Sequence, residues 1–124
     1  LNCETDFVAN TDGFKELAHN LSMQVAATNP VSLDRNSIDE RIILREKDIF
    51  LEQAKKQGKP ENIIKKMVEG RINKFYQESC LMEQTYIKDP DKKVSDLLTE
   101  TVSMLGENIT VKRFIRFSIG ESNN

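Results

Sequence analysis

The side chains able to do chemistry are few in this sequence and poorly spaced for it. His19 is the only histidine. It falls on the polar side of a helical pattern beside Glu16 and Asn20, with no second group at helical spacing to orient it as a general base. A solvated histidine is the simpler reading. The acidic pairs Asp39-Glu40 and Glu4-Asp6 could suggest carboxylate catalysis, but carboxylates at helix starts are already favoured by the macrodipole. Cys3 and Cys80 are the only cysteines. Without a Cys-x-x-Cys and with one histidine they supply no zinc ligand set. Two thiols read as reduced, partly buried side chains in a cytosol-like compartment, since a disulfide framework needs more pairs. There is no Gly-rich phosphate loop, no Ser/His/Asp order and no HExxH, and the five glycines stand singly. Catalysis has little support, and no cofactor or metal is expected.

One segment remains, Thr5-Asp6-Phe7-Val8. It is open to two readings. It can be a capping segment with a core phenylalanine. The other reading is an aromatic wedge with an adjacent carboxylate, projecting from a rigid helix start into a partner. Phe offers a large apolar contact with few rotatable bonds, which protein interfaces prefer.

The elements that must position this segment follow from periodicity. Residues 12–28 place Phe14, Leu17, Ala18, Leu21 and Val25 on one face of an amphipathic helix, capped by Thr11 or Asp12 and ended by Asn29-Pro30. After a loop, Ser37-Ile38-Asp39-Glu40 predicts a capping box, and a helix follows to about Gln57 with Ile42, Ile43, Ile49, Phe50 and Ala54 inward. Gly58 stops it, and Pro60 opens a third helix whose stripe of Ile63, Ile64, Met67, Val68, Ile72, Phe75 and Tyr76 runs to about Ser79. Gly70 inside that helix suggests a closely packed neighbouring backbone. Leu81 to Lys93 reads as irregular with a turn at Asp89-Pro90-Asp91, and a fourth helix covers about Ser95 to Leu105.

Asn108 to Ile119 reads as a strand with Ile109, Val111, Ile115, Phe117 and Ile119 on one face. Arg113 and Phe114 break the alternation, so a bulge or a partly covered second face is expected. One strand makes no sheet. Its partners must be the residues around Leu1, an upstream segment or another chain. The start at Leu1 reads like the end of a strand, and an N-terminal truncation is expected. The fold class is therefore α+β, mainly helical with about four helices and an antiparallel sheet near the C-terminus, in one domain over residues 1–124.

Composition narrows the partners. The chain has 124 residues, 38% hydrophobic and 31% charged, with 18 basic and 20 acidic side chains and a net charge of −2. That balance argues against a phosphate-backbone binder, so Lys112, Arg113 and Arg116 read as a solvated face or ion pairs. No apolar run approaches the length that spans a bilayer. The four methionines, Met23, Met67, Met82 and Met104, read as core filler.

Several blocks are similar to the elongation factor Ts family, the guanine-nucleotide exchange factors of elongation factor Tu. Asn2-Cys3-Glu4-Thr5-Asp6-Phe7-Val8-Ala9 resembles the family's signature. Gly58-Lys59-Pro60, Lys66 to Arg71, Phe75 to Glu78, Glu83-Gln84 to Pro90, Gly106 to Ile109 and Arg113 to Phe117 follow in the family's order. The resemblance is closest to the shorter members with a single core domain. It implies that Thr5, Asp6, Phe7 and Val8 insert beside the nucleotide site of GDP-bound factor Tu and dislodge its magnesium ion. It also implies a homodimer through the core domain, no catalysis, and an upstream helical domain that grips factor Tu. The implied location is the bacterial cytoplasm, or an organelle matrix or stroma of bacterial descent.

Overall fold

The structure, a computed structural model, describes residues 1–120. The first helical turn, α1 (Asp6–Ala9), leads through Asn10 into α2 (Asp12–Thr28). Thr11 caps α2 by accepting a hydrogen bond from the Phe14 amide, and Asn29 ends it in the left-handed region at φ 48°. Asn tolerates that conformation better than most residues, so the stop lies in Asn29 as much as in the following Pro30. Leu17, Leu21 and Val25 face inward, as the periodicity predicts.

Two long helices follow, α3 (Glu40–Lys56) and α4 (Glu61–Ser79), packed against each other as a hairpin. The expected capping box does not form. Ser37 instead donates both its amide and its hydroxyl to the Asp34 carboxylate, and Asp39 takes over as the cap by accepting from the Arg41 amide. Gly58, at φ 70°, turns the chain between the helices. Ile43 and Ala54 of α3 and Ile64 and Ile72 of α4 are buried, whereas Ile49 and Ile63 are exposed. A helix covered by one neighbour buries only a narrow seam, so the broad apolar stripes read from the sequence are wider than what is covered. Gly70 has nothing within 4 Å of where a Cβ would stand, so no backbone packs closely there. The close approach is at Gly13, where an added Cβ would lie 3.2 Å from Leu105.

After a 3₁₀ turn at Leu81–Glu83 come β1 (Thr85–Tyr86) and β2 (Asp89–Lys93), a small antiparallel pair turning at residues 87–88. The turn expected at Asp89-Pro90-Asp91 thus lies in a strand; Pro is compatible with it because an edge strand leaves one N–H side unpaired. Helix α5 (Val94–Leu105) starts where the Asp96 carboxylate accepts from the Lys93 amide, and Gly106 ends it at φ 73°. The class is α+β and mainly helical, as expected, with five α-helices among the described residues once α1 is included.

The expected strand from Asn108 to Ile119 is not paired as a strand. Among the described residues its one bridge joins Thr110 to Asn2 through two backbone hydrogen bonds of 2.8 and 2.9 Å. The partner is the chain around Leu1, one of the expected candidates, but it supplies a single residue pair. The inward side chains are Ile109, Val111 and Phe114, while Ile115, Phe117 and Ile119 are exposed. The break in alternation at Arg113-Phe114 therefore marks a real change of face. Ile109 joins Leu17, Leu21, Val25, Leu81 and Val94 in the main core. Each fully buried aliphatic side chain there contributes roughly 1.5–3 kcal/mol.

Buried amides fasten the sheet to α2. The Gln24 side chain donates to Gln84 Oε1 at 3.0 Å and to the Thr85 carbonyl at 3.1 Å, and it accepts from the Ile87 amide at 2.9 Å. Gln84 also accepts from the Thr28 hydroxyl and donates to the Glu78 carbonyl. Desolvated amides are tolerable because their hydrogen bonds are made.

Candidate functional site

Thr5 has extended backbone (φ −134°) and caps α1, its hydroxyl accepting from the Val8 amide at 3.4 Å. An isolated helix of four residues is unstable, because nucleation fixes several dihedrals for one hydrogen bond. Outside contacts must hold it. The Glu107 carboxylate accepts from the Thr5 amide at 3.1 Å and, through its other oxygen, from the Thr5 hydroxyl. The Cys3 thiol donates to the Thr5 carbonyl at 3.2 Å. At the far end the Asn10 amide donates to the Asp6 carbonyl and the Thr11 amide to the Val8 carbonyl, joining α1 to α2.

Within this frame the four predicted site residues divide. Val8 is 8% exposed and belongs to the interior; Phe7 is 82% exposed. Thr5 and Asp6 are exposed, Asp6 in the first turn where a carboxylate suits the helix N-terminus. Phe7 is not part of the core that the described residues form. Its ring faces outward beside the Asp6 carboxylate, an aromatic and charged pairing of the kind that protein interfaces use.

Glu107, which the sequence did not single out, is the side chain that holds Thr5. It lies 102 positions from Thr5, in the turn after Gly106, and only the fold brings it to α1. The other chemical candidates are dispersed. His19 is exposed on α2. Cys80 is fully buried near Ser32, and burial pushes its thiol pKa up; Cys3 is half-buried, and both thiols are free. Met23 and Met104 are exposed, so only Met67 and Met82 are partly covered as filler. Among the basic side chains of the closing segment, Arg116 donates to the Ala26 carbonyl of α2. Among the described residues no group of three or more His, Cys, Asp or Glu side chains could hold a metal ion, and no helix is long and apolar enough to cross a membrane.

Comparison with known proteins extends over nearly the whole sequence. The family model described as Elongation factor TS matches residues 15–121. A protein named Elongation factor Ts from Syntrophomonas wolfei is 53% identical over 121 residues, covering 98% of this chain and 56% of that protein. Its namesake from Oleidesulfovibrio alaskensis is 55% identical over 120 residues, covering 97% and 61%. The one from Moorella thermoacetica is 50% identical over 121 residues, covering 98% and 60%. The chain thus spans somewhat more than half the length of these curated relatives. Identity at this level across this coverage decides kinship: the chain belongs to the elongation factor Ts family.

Proposed function

We propose that this protein acts in translation elongation as a guanine-nucleotide exchange factor, binding GDP-bound elongation factor Tu in the bacterial cytoplasm and promoting GDP release. Family membership supports the role in elongation. The observation that carries the mechanism is the exposure of Phe7 on a pinned helical turn beside Asp6. In this mechanism Thr5 and Val8 hold the turn, Phe7 wedges between partner side chains, and Asp6 hydrogen-bonds the displaced partner backbone. The movement disturbs coordination of the partner's magnesium ion. That ion neutralises phosphate charge, so dislodging it weakens nucleotide binding. No bond chemistry is involved. The coupling is reciprocal: GDP must loosen the protein from its partner by the factor by which the protein loosens GDP.

The experiment is stopped-flow release of a fluorescent GDP from elongation factor Tu with and without the protein, at graded free Mg2+. Release should accelerate, and the acceleration should shrink as Mg2+ rises, because ion binding opposes the displaced state. An acceleration indifferent to Mg2+ counts against magnesium displacement.

A second reading is a dimerisation or partner-binding module without exchange activity of its own. Ile115, Phe117 and Ile119, exposed by 63%, 77% and 106% in the closing segment, favour it. Partner binding without any acceleration of release would select it.

A further inference from the structure

We propose that Glu107 is a positioning residue for the exchange segment, holding α1 in its binding shape from the opposite end of the chain. This rests on the functional reading above, since α1 must be the segment that enters the partner. The geometry is specific. One carboxylate accepts from both the amide and the hydroxyl of Thr5, the cap of α1. The same hydroxyl also accepts from the Val8 amide, so Glu107 fixes the rotamer that closes the turn. Glu107 is itself held in place. Gly106 takes the left-handed conformation just before it, and just beyond it Thr110 exchanges two backbone hydrogen bonds with Asn2. Thr5 is therefore anchored to the end of α5 by a side chain and by a neighbouring backbone bridge. Four residues have no helical stability of their own. Without the carboxylate the turn becomes one of several states, and apparent affinity falls by the fraction that remains competent.

Asp6 and Phe7 touch the partner, whereas Glu107 acts through Thr5. The two roles leave different kinetic signatures. Glu107→Ala should raise the concentration of protein giving half-maximal GDP release by about tenfold or more, the range of a lost hydrogen bond to a charged group. The maximal rate at saturation should be retained. Glu107→Gln, which keeps one acceptor, should lie between Glu107→Ala and the parent. Thr5→Val also removes the cap on the Val8 amide. Combined with Glu107→Ala it should cost more than Glu107→Ala alone but less than the sum of the two single substitutions, because the bond between the Thr5 hydroxyl and Glu107 is shared.

The decisive readout needs no partner. In the free protein, amide hydrogen exchange at Val8, Ala9 and Asn10 should quicken by about tenfold in Glu107→Ala, with the α2 amides around Leu21 unchanged. Unchanged exchange in α1, or equal acceleration in α1 and α2, overturns the proposal; the second result would make Glu107 a general stabiliser. Should Glu107→Ala fail to fold, the same comparison is made with Glu107→Gln. If α1 loosens as expected yet Phe7→Ala leaves GDP release untouched, the positioning role stands. The functional reading of α1 is then what fails.

Discussion

Phe7 and Val8 are neighbours of similar apolarity, yet one is 82% and the other 8% exposed. A single helical turn can direct only one side toward the core, and here Val8 takes it. That division was invisible in the sequence, where Phe7 read more readily as a core residue than as a wedge. The capping role of Thr5 was legible because a hydroxyl at an extended position before a helix satisfies an orphan amide. Glu107 was not, since no local rule pairs residues at the two ends of a chain. The two thiols allow a separate check at this scale. Cys80 is wholly buried and its pKa is raised chiefly by burial, whereas Cys3 is half-buried. Alkylation followed by mass spectrometry should label Cys3 first and Cys80 only as the fold opens. The neutral Cys80 thiol is the form the fold favours. Its contribution to stability is intact below the unfolded thiol's pKa and is lost as pH rises through the folded one. Labelling of Cys80 as fast as Cys3 would contradict the packing.

Helices were the legible elements, because an apolar face recurring about every 3.6 residues fits the helical pitch and not the two-residue repeat of a strand. The helix over residues 12–28 agrees with α2 at both ends. Short-range polar competition was harder to read, as at Ser37, which bonds back to Asp34 and leaves the cap to Asp39. The stretch from Asn108 to Ile119 has strand composition, yet composition cannot provide a neighbour, and one bridge to Asn2 is all the pairing among the described residues. The small sheet formed instead at residues 85–93, where few β-branched residues announce it. Its position depends on Gln24, whose amide bonds reach Gln84, Thr85 and Ile87 across about 60 positions. Gly70 gives a quantitative test at this scale. It is exposed, mid-helix, and has open space where a Cβ would stand. Gly70→Ala should stabilise the protein by about 0.4–1 kcal/mol in chemical denaturation, mainly by restricting the unfolded chain. A loss of stability would mean that a neighbour does occupy that space.

At the scale of the molecule, the closing segment carries three exposed large apolar side chains in close succession. Ile115, Phe117 and Ile119 follow one another at alternate positions, an exposed apolar row that invites pairing with another surface. Symmetric association of two copies is the expected arrangement. Sedimentation at micromolar concentration should show a dimer with and without thiol reductant, since this segment holds no cysteine. A monomer in both conditions would contradict it, and a dimer only without reductant would point to Cys3 or Cys80. Phe117→Asp should weaken the dimer while leaving the circular dichroism unchanged, because Phe117 is exposed in the single chain.

Whether the exposed face of α1 drives exchange is tested most directly by a paired measurement on Phe7→Ala and Asp6→Ala. GDP release from elongation factor Tu and thermal unfolding are followed on the same samples. At saturating concentration both variants should slow the maximal rate of release strongly while unfolding stays near that of the parent, since Phe7 leaves no cavity when truncated. Full exchange activity in both variants, or a loss of about 3–5 kcal/mol in Phe7→Ala as for a buried aromatic residue, would contradict this role for α1.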